Sequence, residues 1–330
     1  MALALVIVAL LWGLAETVAR TPGVRLHYPF TSVDSPNPYF DKEISALDYQ
    51  ALALGQPVDC IVLGSSMVLN GFNPASFAAV YRQQTQTDLN CDNVGVPGMV
   101  AREAADIAQL LVDRYHPRLL ILGTSARDFS DSVAGLQSAT GDVMQTPWVR
   151  YRLGLDFSLE GWLIDHSDAF HYMIGMRHWT QVWAQPPQAQ APKLPINLSL
   201  PPDRQTEAGT YDALAHYQVS QPDLAGLEQF LALPRQGVQV LVVEMPVHPT
   251  YLYFFGRGEQ DQDLFRTTIG NAAKAHAVLF LPADPNLNLP NSDWDDRNHL
   301  SVQGGQVFSA WLAQQVAAAA GAGALRLTQR

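Results

Sequence analysis

The chain contains only two cysteines in 330 residues, Cys60 and Cys91, so no disulfide framework organises its fold. Each stands four residues before a glycine that closes an apolar run, Gly64 and Gly95, and parallel in-register strands would make the two neighbours. As small apolar side chains they read as buried thiols in preference to a disulfide. Basic residues are also scarce: 20 Lys and Arg against 31 Asp and Glu leave a formal net charge of -11. Nucleic-acid affinity comes from cations that neutralise phosphates, so nucleic acid is excluded as a partner. There is no His pair at i, i+4 and no cysteine ligand set, so no metal or cofactor is expected; His248 beside the acidic cluster Asp293, Asp295 and Asp296 is a weak alternative. No internal repeat is found.

Apolar residues, at 48%, are plentiful enough for a sizeable core. From Met1 to Ala15 the run MALALVIVALLWGLA carries no charge, and apolar character resumes after Glu16 as far as Ala19. As a helix rising ~1.5 Å per residue it spans ~28 Å, enough for a bilayer core. Residues 1–20 therefore read as a membrane anchor or an uncleaved signal, with a cleaved signal peptide or a buried helix as alternatives. No basic residue precedes the run. Arg20 and Arg25 follow it and, by the positive-inside rule, favour a cytoplasmic domain, although two charges weigh little. Residues 21–50, rich in turn formers, read as an extended stem, and residues 51–330 as one domain.

Within that domain five short segments read as buried strands: DCIVLG (59–64), LNCDNVG (89–95), LLILG (119–123), VQVLVVE (238–244) and AVLFL (277–281). Four are apolar on both faces, the mark of a parallel sheet. Helical patterns alternate with them, the last beginning at an N-cap, Ser301, with Val307, Trp311 and Val316 on one face. The alternation predicts a right-handed, doubly wound α/β/α sandwich, flavodoxin-like with strand order 2-1-3-4-5. Residues 130–222 exceed a single crossover and form an insertion. Trp148, Trp162, Trp179 and Trp183 suggest a helical cap over the sheet, followed by an irregular Pro/Gln-rich segment.

In such sheets ligands bind beyond the carboxyl ends of the strands, and there the sequence places Gly64-Ser65-Ser66, Asn93-Val94-Gly95-Val96-Pro97-Gly98, Gly123-Thr124-Ser125-Ala126-Arg127-Asp128, Glu244 to His248, and Asp293 to His299. A serine nucleophile needs a base, a carboxylate to orient the base, and oxyanion donors. Ser66 opens a helix, and Asp296 and His299 are three residues apart. An α/β-hydrolase requires G-x-S-x-G, and Val68 occupies the place of the second glycine.

These motifs resemble the SGNH, or GDSL-like, hydrolase superfamily, over about residues 58–128 and 238–318. The likeness is greater to its membrane-anchored branch, which includes the D-alanyl-lipoteichoic-acid transfer proteins and related bacterial and cyanobacterial envelope proteins. The resemblance implies Ser66 as nucleophile, with Ser65 where many members carry Asp, and a D-x-x-H block met by Asp296 and His299, with Asp293 and Asp295 as rival acids. It implies an oxyanion hole from Ser66 and Gly98. The third block departs from G-x-N-D, leaving Ser125 as a substitute donor or Arg127 swinging in. Arg127 is otherwise a partner of Asp128 or a clamp for an anionic group; Asn70 is a further candidate substrate contact, and His248 reads either as another or as a histidine capping a turn. The implied activity is that of an extracytoplasmic, membrane-anchored serine esterase or O-acyltransferase working through an acyl-serine on a cell-envelope polysaccharide or lipid-linked glycan, with a membrane acyl donor as a candidate partner. A non-catalytic glycan-binding envelope protein is the alternative, and a soluble lipase or thioesterase a third reading.

Overall fold

The structure, a computed structural model, describes residues 2–27, 31–132, 142–184, 196–203 and 207–327. Of the segments singled out above, the side chains of Trp179 and Trp183 and most of the Pro/Gln-rich segment (185–195 and 204–206) lie outside the described residues. The chain divides into two compact units, one of Met1–Pro57 with Thr140–Lys193, the other of Val58–Ala139 with Leu194–Arg330. The insertion is thus shared between them, and its middle belongs with the N-terminal segment.

The larger unit is built on five parallel strands, β1 (Cys60–Gly64), β2 (Cys91–Gly95), β3 (Leu119–Thr124), β4 (Gln239–Glu244) and β5 (Leu279–Leu281), in the order β2-β1-β3-β4-β5. The fold is the expected α/β sandwich. β1 and β3 are buried along their whole length, which is why their sequences show no alternation. One face of the sheet, with Cys60, Val62, Leu119, Ile121, Leu241 and Val243, packs on helices Pro74–Thr85 and Val302–Gly321 through Phe77, Phe308, Leu312 and Val316. Helices Ala101–Tyr115, Gln221–Ala232 and Glu259–Ala275 serve the other face.

Two details of this unit differ from expectation. Cys60 and Cys91 are register partners as foreseen, but they form a disulfide, with Cα atoms 4.2 Å apart; directly opposed residues of neighbouring strands direct their side chains to the same face. In helix Val302–Gly321 Ser301 is the cap, its Oγ accepting from Gly304 N at 3.3 Å. The buried stripe, however, runs through Phe308, Leu312 and Val316, with Val307 and Trp311 at its margin. Gly304 and Gly305 turn the helix this way because they bring it against the carbonyls of Asp293 and Asn70, where a Cβ would lie 2.1 and 2.9 Å from oxygen.

In the smaller unit, helix Ala2–Ala19 is long and apolar enough to cross a membrane, with a mean hydropathy of 2.2 and only 6% of it buried. The stretch 21–50, expected to run extended, is helical over Pro22–His27 and Pro38–Asp48 and continues into a π-turn at Tyr49–Ala53. Asn37 starts the second of these helices, its Oδ1 accepting from Tyr39 N at 3.1 Å and Phe40 N at 3.2 Å ahead of Pro38 in the first turn. Phe40, Ile44 and Leu47 of that helix are buried. Helices Pro147–Arg152, Leu159–His166 and Asp168–Ala184 also belong to this unit.

Candidate active site

The carboxyl ends of β1, β2 and β3 lie in register, Gly64 opposite Gly95 and Gly123, so the loops that follow them open on one rim. Ser65 caps the short helix Ser66–Gly71, its Oγ accepting from Met67 N at 3.4 Å. Ser66 is the first residue of that helix, where an amide has no intrahelical acceptor. The helix lies tight on β2: a Cβ on Gly95 would sit 2.2 Å from Leu69 N. Asn93 holds it from below, donating through Nδ2 to the carbonyls of Val68 (3.0 Å), Leu69 (3.2 Å) and Phe72 (2.8 Å). Val68 O also accepts from Phe72 N at 2.9 Å, and the two N–H groups of this one amide are shared among the three carbonyls at the end of the helix.

The chain returns to this point 233 residues later. Ser66 Oγ is 2.8 Å from His299 Nε2, and His299 Nδ1 is 2.7 Å from Asp296 Oδ2. The loop that makes this possible is closed by a backbone bridge between Trp294 and Leu300 and by Asp295 N donating to His299 O at 2.9 Å. The other carboxylate oxygen of Asp296 accepts the amides of Asn298 (3.0 Å) and His299 (2.8 Å), fixing both the acid and the ring. Burial pushes the Asp296 carboxyl up, but the His299 contact and these amides outweigh it and hold it below its ordinary range. Of the rival acids, Asp295 is exposed, and Asp293 is buried with its carboxylate near Ser292; neither faces the imidazole. With Nδ1–H turned to a carboxylate, Nε2 is the acceptor for a hydroxyl proton.

Gly98 lies in the turn after β2 with φ +86°, a conformation that favours glycine, and Val96 N donating to Gly64 O at 2.8 Å ties that turn to the end of β1. Ser125 is placed differently from the expected donor. Its amide (2.8 Å) and its hydroxyl (3.2 Å) both point at Asp128 Oδ2, and the side chain is buried. Arg127 Nη1 lies on the other oxygen of Asp128 at 3.2 Å. Burial keeps the Asp128 carboxyl above its ordinary range in spite of Arg127 and the Ser125 donors. The third block is therefore a closed capping turn.

His248 is likewise built into the frame, as the cap of the turn Pro249–Phe254, its Nδ1 accepting from Thr250 N at 3.2 Å. It is buried, its Nδ1 is 2.7 Å from Thr250 Oγ1, its Nε2 is 3.1 Å from Asn291 Oδ1, and its ring stands edge-on to Trp294. Asn70 is on the exposed side of the Ser66–Gly71 helix, one turn beyond Ser66. A residue that motif reading missed lies inside D-x-x-H itself. Arg297 is buried, donates through Nε to Glu207 Oε2 at 2.8 Å and through Nη1 to Thr250 Oγ1, and offers its carbonyl to His248 N at 2.8 Å. Asn291, His248, Thr250, Arg297 and Glu207 thus form one connected polar brace behind the loop. Tyr251 is fully buried nearby, its hydroxyl without a hydrogen-bond partner among the described residues.

No family model matches the chain, and no curated protein matches it. Among solved structures, the inhibitor-bound form of the M. smegmatis aryl esterase is similar to it at 14% identity, over 79% of this chain and 99% of that one, with a TM-score of 0.36. A second solved structure is similar at 9% identity, over 79% of this chain and 97% of that one, with a TM-score of 0.37. At these values the likeness lends no weight to any function.

Proposed function

We propose that the protein is a membrane-held, extracytoplasmic serine esterase or O-acyltransferase in which Ser66, His299 and Asp296 act as a triad on an ester of a cell-envelope polysaccharide or lipid-linked glycan. The observation that carries the reading is the unbroken pair of contacts Ser66–His299–Asp296 at 2.8 and 2.7 Å. Ser66 Oγ attacks the ester carbonyl carbon while its proton passes to His299 Nε2. The carbonyl oxygen becomes an oxyanion, facing the amides of Ser66 and Gly98. Asp296, ionised, stabilises the imidazolium and keeps its orientation. The tetrahedral adduct collapses, the C–O bond to the alcohol breaks, and that alcohol takes the proton back from His299. Water or a glycan hydroxyl then attacks the acyl-serine by the same steps. The disulfide between Cys60 and Cys91 supports an oxidising compartment, and helix Ala2–Ala19 supports the membrane attachment.

A second reading, a glycan-binding protein that keeps the fold without turnover, is favoured by one observation: the donors of Ser125 are spent on Asp128. A fluorophosphonate probe separates the two. Labelling of the folded protein that disappears in Ser66→Ala is the expected result. A folded wild-type chain that takes no label would leave the binding reading standing.

A further inference from the structure

Residues 153–162 of the smaller unit expose more large apolar side chains than a surface turn usually does. Two of their polar side chains are partnered within the unit, Asp156 at the surface and Ser158 at a helix cap. Asp156 accepts from Arg150 Nε at 2.8 Å, and Ser158 Oγ caps helix Leu159–His166 by accepting from Gly161 N at 2.8 Å. Their apolar side chains face outward: Phe157 is 77% exposed, Leu159 63% and Leu155 55%, with Trp162 exposed on the first turn of the helix. In water such a cluster is unfavourable, and monomeric soluble surfaces rarely gather so many large apolar groups.

Its position within the unit says what covers it. The carboxylate of Glu16, in the last turn of the apolar helix, accepts from Ser167 Oγ at 2.7 Å and from the amides of Asp168 (3.0 Å) and Ala169 (3.1 Å). The end of that helix is therefore riveted to the start of helix Asp168–Ala184. Arg20, on the next turn, donates to the carbonyl of His166 at 3.3 Å. The ring of His166 stacks on Trp162 at 5.0 Å and meets Tyr151 edge-on at 6.1 Å, and Tyr151 meets Phe157 at 6.2 Å. Three ring contacts thus lead from the polar end of the apolar helix to the outward-facing turn. A helix that spans the bilayer core puts its polar end at the headgroup level, and aromatic and aliphatic side chains at that level enter the interface beside it.

We infer that the turn carrying Leu155, Phe157, Leu159 and Trp162 is a second membrane contact that inserts into the interfacial zone of a lipid bilayer next to helix Ala2–Ala19. The inference rests on the membrane attachment proposed above for that helix. Two contacts fixed to each other by Glu16 give the unit a defined orientation, whereas a single helix leaves it free to swivel.

The test uses the full chain in vesicles of phosphatidylcholine and phosphatidylglycerol (3:1) containing a lipid with a carbene-generating group near the glycerol, and adducts are mapped by peptide mass spectrometry. Adducts are expected both within residues 2–19 and within residues 155–162. Replacing Leu155, Phe157 and Leu159, all exposed, together by serine is expected to leave the circular dichroism spectrum unchanged, to cut adducts at 155–162 about five-fold and to leave those at 2–19 unchanged. Adducts at 2–19 with none at 155–162 would overturn the inference and preserve the anchor. Adducts at neither segment would overturn both. Chain-to-chain cross-links through 155–162 without lipid adducts would show that a second copy covers the turn, and would also overturn it.

Discussion

Arg297 and Glu207 are 2.8 Å apart across 90 residues of sequence, so a residue between the candidate acid and the candidate base is anchored to the later part of the insertion. Both side chains are largely buried, and removing one leaves the other without its counter-charge. Arg297→Met is expected to lower stability by about 3 kcal/mol and the rate with it. The pair Arg297→Met with Glu207→Leu is expected to regain most of the stability, while the rate stays low because the brace to Thr250 is gone. Urea denaturation midpoints and ester turnover of the three proteins check this.

The placement of Ser125 leads to a prediction of the opposite kind. An oxyanion donor removed by mutation costs a factor of about 10²–10³ in rate. Because both donors of Ser125 are directed to Asp128, Ser125→Ala is expected to turn over an activated acetyl ester within about two-fold of wild type and to lose about 1 kcal/mol of stability through the cap. A hundred-fold loss of rate in a folded variant would return Ser125 to the oxyanion hole.

Asp296 connects stability to pH. Its carboxyl lies below the ordinary range in the folded chain, so its ionised form stabilises the native state above the unfolded value of ~3.9, and that contribution fades as the pH falls through the folded value. Wild type is therefore expected to be more stable than Asp296→Asn at pH 7, and the gap to close below about pH 4. Denaturant titrations at both pH values measure it, and a gap that is constant with pH would remove the ionic contribution.

The disulfide closes a loop of 31 residues. By the chain-entropy argument, replacing both cysteines by alanine is expected to cost about 3–4 kcal/mol. Both sulfurs are buried, so a reductant added to native protein is expected to leave the bond intact, with two thiols becoming countable only after unfolding. Rapid reduction of the native chain would contradict the buried placement.

What could be read in advance, and what could not, divides along the range of the interaction. β1 and β3 were legible because strands buried on both faces cannot hide their apolar runs, and Asp296 with His299 because three residues fix their geometry locally. The register of Cys60 and Cys91 was legible too, yet pattern alone does not separate two neighbouring thiols from a bond. Ser125 carried its own warning: S-x-x-D, Ser125 to Asp128, is the spacing of a capping turn. Asn37 followed by Pro38 likewise marked a helix start inside the stretch read as an extended stem. The pairing of Arg297 with Glu207 had no local signal, since nothing in either neighbourhood names a partner 90 residues away.

The distance of 233 residues between Ser66 and His299 also sets a clock. A chain made from its N-terminus at about 5–20 residues per second would present the serine for tens of seconds before the base exists, with the β1–β2 bond free to form meanwhile. The hydroxyl is an ordinary alcohol throughout that interval. On the proposed mechanism, reactivity would begin only as helix Val302–Gly321 packs its glycines against the carbonyls of Asn70 and Asp293, so a chain that stops short of that helix would be unable to attack an ester.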